Sequence, residues 1–326
     1  YGAIGNQYFR YFDVKQAEAI TLGGQLSIRW VERDVNKFMN KVLETDNQNY
    51  VVASDTDSIY ISMGKLVDKV CKDKTPQQIS DFLDKVSEQK LQKVIDKSFD
   101  NLADYVNAFQ QKMVMKREAI ANKGIWVAKK RYMLNLFDEE GIRYEYPKLK
   151  VMGVEAVKSS TPEICRTKIK EAIRVIMNES EDDLIKYVAD FKETFKTLSP
   201  EEVAFPRSCN NLMKFADSSS IYKKGTPIHV KGALIYNYHL HKHKLEMKYP
   251  VIRDGDKIKF LMLKIPNNIK DTVISFSSRI PYEFDLHKYV DYDLQFQKTF
   301  TDPLKFILDS IGWKLEREAT LEAFFG

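Results

Sequence analysis

Paired cysteines are what this sequence most plainly lacks. Cys71, Cys165 and Cys209 lie far apart, with none of the short spacings that seat a zinc ion or organise a disulfide framework. Such a chain fits a reducing compartment, and the cytoplasm is its expected location. No apolar run approaches the roughly 20 residues needed to span a bilayer, so no membrane partner is expected. Neither an initiator methionine nor a charged and apolar leader is present at Tyr1, which predicts a cropped, processed or partial chain without a signal peptide. Internal repeats and low-complexity segments are also missing, which sets aside repeat architectures.

What is present is an ordinary globular balance, with 44% hydrophobic and 30% charged residues over 326 positions. That length allows roughly two domains of about 100 to 200 residues, each with a buried core. The net charge of +5 is modest but sorted by region. Residues 112–131 hold seven Lys or Arg against the single acid Glu118, and residues 178–202 hold eight acids against three lysines. A basic stripe suits a phosphate backbone, with a solvated cationic face of no consequence as the lesser alternative.

The chemistry concentrates at residues 50–62, Tyr-Val-Val-Ala-Ser-Asp-Thr-Asp-Ser-Ile-Tyr-Ile-Ser. Two apolar, β-branched and aromatic runs flank a polar centre, which predicts a β-hairpin with Asp55, Thr56 and Asp57 at its tip. Carboxylates one residue apart repel, and a cation or donor network is what neutralises such a pair. Held on a rigid corner, they form the kind of partial oxygen shell that Mg²⁺ shares with substrate phosphates. An ordinary Asp-rich turn is the competing reading.

The rest of the chain is α+β in pattern. Asp13 and Gln16 form a predicted capping box, ahead of an apolar face at Ile28, Val31, Val35, Phe38 and Val42; Gly23-Gly24 inside this helix implies a kink or a close neighbour. Thr75-Pro76 opens a second helical stretch, whose stripe runs from Phe82 to Leu102. Residues 113–120, 126–137 and 142–146 read as three antiparallel strands, parted by Gly124 and by the turn Asp138-Glu139-Glu140-Gly141. On the middle strand, alternation sends Lys130 and Tyr132 to one face and Lys129 and Arg131 to the other. Glu118 reads as an ion-pair partner of the cations around it. Thr161-Pro162 and Ser180 open two more helices, and residues 227–238, 257–263 and 272–276 read as strands, with Asp254-Gly255-Asp256 as a turn. Asp302-Pro303 caps a last helix ended by Gly312. His239, His241 and His243 would share one face of an extended segment, a possible zinc set that lacks an acidic or thiolate partner. Two adjacent phenylalanines near the last residue suit either docking on this protein's own core or association with a partner.

Several of these stretches, in this order, resemble family B DNA polymerases, most closely the replicative enzymes of T-even-like bacteriophages. Asp55-Thr56-Asp57-Ser58 with its flanking strands resembles the palm motif, Tyr1-Gly2-Ala3-Ile4-Gly5-Asn6 the end of the fingers motif, and Lys129-Lys130-Arg131-Tyr132 the primer-gripping motif. Residues 115–120, 148–153, 159–162 and 321–326 agree as well. The resemblance implies an α+β architecture in which a palm, an antiparallel sheet packed on helices, is followed by a helical thumb with a smaller β portion. It divides the chain into the end of the fingers at 1–12, palm at 13–158, thumb at 159–318 and a clamp-binding tail at 319–326. It implies DNA synthesis from dNTPs on primer-template DNA with two Mg²⁺ ions. Asp55 and Asp57 would be catalytic metal ligands and Glu118 an auxiliary one; Lys129, Lys130, Arg131 and Tyr132 would hold DNA, and Tyr1 and Gly2 would line the nascent base pair. Leu321, Phe324 and Phe325 would enter a sliding clamp. The family's upstream metal-binding aspartate, its triphosphate-binding residues and its exonuclease have no counterpart here. An amino-terminal half is therefore an implied partner, and the host-cell cytoplasm the implied location. A non-catalytic DNA-binding module tethered to a clamp is the alternative.

Overall fold

A computed structural model describes residues 2–154 and 158–315. They form an α+β protein that divides into two compact units, one comprising residues 1–122 and 135–148, the other residues 123–134 and 149–326. Among the described residues no helix is long and apolar enough to cross a membrane.

The first unit is built on α1 (Val14–Leu43), which begins where the Asp13 carboxylate accepts from the Gln16 amide at 3.1 Å and ends at Glu44 in the left-handed region. Its inner face is Val31, Val35, Met39 and Leu43, four residues apart each time, with Ile28 and Phe38 at the margins and Val42 turned outward. Of the reasons expected for Gly23 and Gly24, a close neighbour is ruled out, since a Cβ at either position would meet nothing within 4 Å, and α1 continues through both. Next come a hairpin, β1 (Val51–Asp55) and β2 (Ser58–Ile61), then α2 (Gly64–Val70) and α3 (Pro76–Val86). α3 opens at Thr75 with Pro76 in its first turn, as expected, and Thr75 also forms a capping box with Gln78. A π-helical turn at Ser87–Leu91 joins it to α4 (Gln92–Tyr105), whose Leu91, Ile95 and Phe99 side close the core against α1, Tyr50 and Val51.

Three strands follow in sheet order, β3 (Ala119–Ala128), β4 (Arg131–Glu139) and β5 (Ile142–Met152), and the division between units falls within all three. The β3–β4 connection is the pair Lys129-Lys130, with Lys130 at φ 60°, and not Gly124. Gly124 is a strand residue over which the Trp126 ring lies: a Cβ there would stand 2.7 Å from the indole. This corrects the expected alternation of residues 129–132, since two of them form the turn and two begin β4.

In the second unit α5 (Glu163–Asn178) and α6 (Glu181–Thr197) pack side by side. Ser180 caps α6 through a capping box with Asp183, whereas Pro162 occupies the cap position of α5 and Thr161 makes no cap. Then come α7 (Pro200–Val203), β6 (Phe205–Ser208), α8 (Leu212–Phe215) and the short pair β7 (Ala216–Asp217) and β8 (Ile221–Tyr222). Residues 227–238, read as a strand from their aromatic and β-branched content, belong to α9 (Ile228–Lys242). This helix is buried almost all round, so the polar face that would mark a helical period is missing. β9 (Lys257–Met262) and β10 (Val273–Phe276) confirm the other two strands and form a sheet with β6 in the order β10-β9-β6, both pairs antiparallel. α10 (Tyr292–Phe296), a π-helical turn (Gln297–Thr301) and α11 (Asp302–Leu308) make one continuous helix. Asp291 caps it, and Asp302 stands inside it, where the widened turn carries Pro303 despite its missing N–H. Phe191 and Phe195 of α6 meet Phe296 and Phe300 at ring separations of 4.7 to 5.6 Å.

The helix also undoes the zinc geometry imagined for the histidines. On α9, His239 and His243 stack at 6.0 Å while the Nδ1 of His241 lies 2.7 Å from Glu246. A helical spacing of two residues turns His241 to another side of the cylinder.

Candidate active site and nucleic-acid surface

The acidic hairpin is fixed from beneath by α1. Asn36 accepts through its Oδ1 from the amides of Tyr50, at 2.7 Å, and Val51, at 3.1 Å. One turn on, Asn40 donates to the Gln48 carbonyl at 2.7 Å and accepts from its amide at 2.9 Å, and Thr45 Oγ1 lies 2.8 Å from the Tyr50 hydroxyl. These contacts satisfy amides of the main chain that leads into β1. Tyr50 and Val51 are buried at 2% and 3% exposure, so the base of the hairpin is anchored in the core.

Above a bulge between Val51 and Ala53, the ladder runs Ala53 to Tyr60, Ser54 to Ile59 and Asp55 to Ser58. Thr56 and Asp57 are thus the two turn residues, with Thr56 at φ 54°. The corner is braced locally: Thr56 Oγ1 donates to Asp55 Oδ1 at 3.0 Å, Ser58 Oγ donates to the Asp55 carbonyl at 3.2 Å, and the Asp57 amide donates to the same carbonyl at 2.6 Å. Asp55 is half-buried and Asp57 exposed. Among the described residues the Asp57 carboxylate has neither a hydrogen-bond nor an ion-pair partner.

This arrangement fits part of a Mg²⁺ site. It offers hard oxygen donors, closely spaced on a braced turn, one of them uncommitted. It is not a complete shell: among the described residues no three His, Cys, Asp or Glu side chains converge as a metal-holding group. Glu118 is exposed immediately before β3, its carbonyl accepting from the Glu140 amide at 2.6 Å, and it does not complete such a group with Asp55 and Asp57.

The basic stripe is partly structural. Arg117 pairs with Asp84 at 2.7 Å and with Asp138, and Arg143 reaches Asp138 at 2.7 Å, Asp84 at 2.9 Å and Asp81 at 3.1 Å. Asp138 is fully buried and also accepts from the Gly141 amide at 3.1 Å, so the network ties the β4–β5 turn to α3. The acids Asp81 and Asp84, one helical turn apart on α3, were the unread signal for it.

In the second unit, Lys129 and Lys130 are exposed at the β3–β4 turn. Arg131 lies with its guanidinium 5.5 Å from the Phe306 ring centre, and Tyr132 stacks on Trp126 at 6.3 Å. Gly153, at φ 67°, lies so close that a Cβ would collide with the Lys130 carbonyl. Gly2 is exposed with open space around it. Tyr1, Leu321, Phe324 and Phe325 lie outside the described residues.

No protein-family model matches the chain. It is 34% identical over 340 aligned positions to the DNA-directed DNA polymerase of Enterobacteria phage T4, and 37% identical over 339 to that of Escherichia phage RB69. In both cases all of this chain is matched, and it spans about 37% of the length of the relative. Along its entire length, at this level of identity, the chain is similar to a segment of these phage DNA-directed DNA polymerases.

Proposed function

We infer that this chain supplies the carboxylate hairpin, part of the DNA-holding surface and the thumb of a phage replicative DNA polymerase, acting in the host-cell cytoplasm. The observation that carries the reading is the uncommitted Asp57 carboxylate beside Asp55 on a braced two-residue turn, in a chain whose whole length aligns with polymerases. The reaction is attack of a primer 3′ hydroxyl on the α-phosphorus of a dNTP, with pyrophosphate leaving.

Asp57 and Asp55 would hold Mg²⁺, with Glu118 in an outer position; when bound, the ions supply the charge neutralisation that phosphoryl transfer requires. The protein's own part is positioning. α1 fixes the height of the hairpin through Asn36 and Asn40, so the carboxylates are oriented before substrate arrives. Lys129 and Lys130 neutralise the primer backbone, while Arg131 and Tyr132, held by Phe306 and Trp126, keep their turn in place. Tyr1 and Gly2 lie along the nascent base pair, and Leu321, Phe324 and Phe325 enter the sliding clamp.

The described carboxylates form an incomplete shell, and an amino-terminal portion would contribute the remaining ligands and the dNTP-binding residues. Mixing this chain with the upstream portion of a T4-like polymerase is expected to produce primer extension that neither piece gives alone. In that mixture Asp57→Ala should lower extension at least 10³-fold with primer-template binding kept within threefold. Extension that survives Asp57→Ala would support a DNA-binding module, and no gain on mixing would end the split-enzyme reading. Deleting residues 321–326 should leave short-primer synthesis intact and abolish its stimulation by the clamp.

A further inference from the structure

The first unit carries a second cationic feature, away from the hairpin tip. Between α1 and α4 lies an open groove of about 420 Å³, lined by Lys37 from α1, Lys93 and Lys97 from α4, and Asp34, Val94, Ser98 and Asn101. The three lysines are exposed, and none has a hydrogen-bond or ion-pair partner among the described residues. The acid in the groove is already engaged: Asp34 accepts from Arg33 at 3.0 Å and from the buried Ser98 hydroxyl at 2.9 Å. What faces solvent is therefore a net cationic channel with an apolar and hydroxyl floor.

Beyond the groove the cations continue in line. Lys41 follows Lys37 one turn along α1, and Lys90 precedes Lys93 on the π-helical turn before α4; both are exposed and likewise unpaired among the described residues. Two rows of unpaired ammonium groups on adjacent helices are unfavourable unless solvent or an anion screens them. A compact anion would need convergent donors in a closed pocket, whereas a row of cations along an open groove matches a repeating, flexible polyanion.

We propose that the α1–α4 groove, through Lys37, Lys93 and Lys97, is a sequence-independent binding site for the phosphodiester backbone of a nucleic-acid strand. It needs neither the catalytic reading of Asp55 and Asp57 nor a partner chain, because it is measured as binding and not as synthesis. Each lysine on a phosphate releases counterions, so the salt dependence of affinity counts the contacts.

The test is fluorescence anisotropy of a labelled 30-nucleotide single strand titrated with this chain between 50 and 300 mM NaCl. The triple variant Lys37→Ala/Lys93→Ala/Lys97→Ala is compared with a charge-matched control, Lys15→Ala/Lys72→Ala/Lys85→Ala, whose lysines are equally exposed on the same unit. Three lost contacts at about 0.7 each should reduce the slope of log K against log salt by about 2 in the groove variant and leave it unchanged in the control. An unchanged slope in a groove variant of wild-type circular dichroism, or an equal fall in the control, would overturn the proposal. A parallel titration with inorganic triphosphate separates the two sources of phosphate. Saturable triphosphate binding that the groove variant loses, with its strand-binding slope intact, would assign the groove to a free anion and likewise defeat the proposal.

Discussion

Asp138 and His239 show how a buried polar group makes stability depend on its neighbours. Asp138, fully buried, is a common partner of Arg117 and Arg143. Replacing it by alanine removes the buried one of the two carboxylates that Arg117 and Arg143 share, leaving Asp84 to serve both, and breaking a buried pair costs about 3 to 5 kcal/mol. Asp138→Ala should lose that much in urea titration, and a loss below about 1 kcal/mol would mean that water replaces the carboxylate. His239 is 7% exposed, and burial, with Lys242 and His243 nearby, pushes its pKa down to about 4. An unfolded histidine titrates near about 6.5. Above that pH the ring is neutral in both states and contributes no pH dependence. Between about 6.5 and 4 the unfolded chain takes up a proton that the folded ring resists, so stability falls as pH falls, by about 2 kcal/mol at pH 5. Urea midpoints at pH 7 and pH 5 should therefore differ by less in His239→Gln than in the unmodified protein. An identical difference in both would place the acid sensitivity elsewhere.

Glycine has opposite meanings in two of the helices, which divides the elements the sequence could announce from those it could not. Gly23 and Gly24 face open space in α1, so Gly23→Ala/Gly24→Ala should stabilise this part of the helix by about 1 kcal/mol per residue and slow amide exchange over residues 14–27. Gly232 of α9 lies against β10, where a Cβ would be 2.5 Å from Ser275 Oγ and 2.8 Å from the Ser275 amide nitrogen. Gly232→Ala should cost about 1 to 3 kcal/mol through overpacking, and a neutral result would show that the sheet yields. The hairpin, α1, α3 and α6 were legible because their caps, turns and apolar periods agree: Thr75 before Pro76, and Ser180 ahead of an apolar stripe, mark where their helices begin. α9 was not, because burial on nearly every side removes the polar face that betrays a helix. The β3–β4 turn was misplaced because Gly124 is small for the sake of Trp126, while Lys130 adopts a positive φ that its side chain does not advertise. In the candidate site, Asp55 and Asp57 could be read directly, but the consumption of Arg117 by Asp84 and Asp138 could not, since those acids are distant in sequence.

Among the described residues two hydrophobic cores form, one centred on Val31, Val35, Met39 and Phe99, the other on Ile169, Ile173, Leu184, Phe195 and Phe300. Met39 and Ile173 are almost wholly buried, and trimming either to alanine should cost about 2 to 5 kcal/mol. Met39→Ala should expose the amides of α1 and α4 to exchange while α5 and α6 keep their protection, and Ile173→Ala should do the reverse. Joint loss in both variants would show a single cooperative unit.

The two units are also discontinuous in the gene: the polypeptide passes from one to the other after residues 122, 134 and 148. No single scission can therefore release both intact, since a break at any of these points strands a β segment with the wrong fragment. Anyone wishing to express the hairpin-bearing half by itself would have to transplant residues 135–148 onto it through an artificial linker rather than shorten the reading frame.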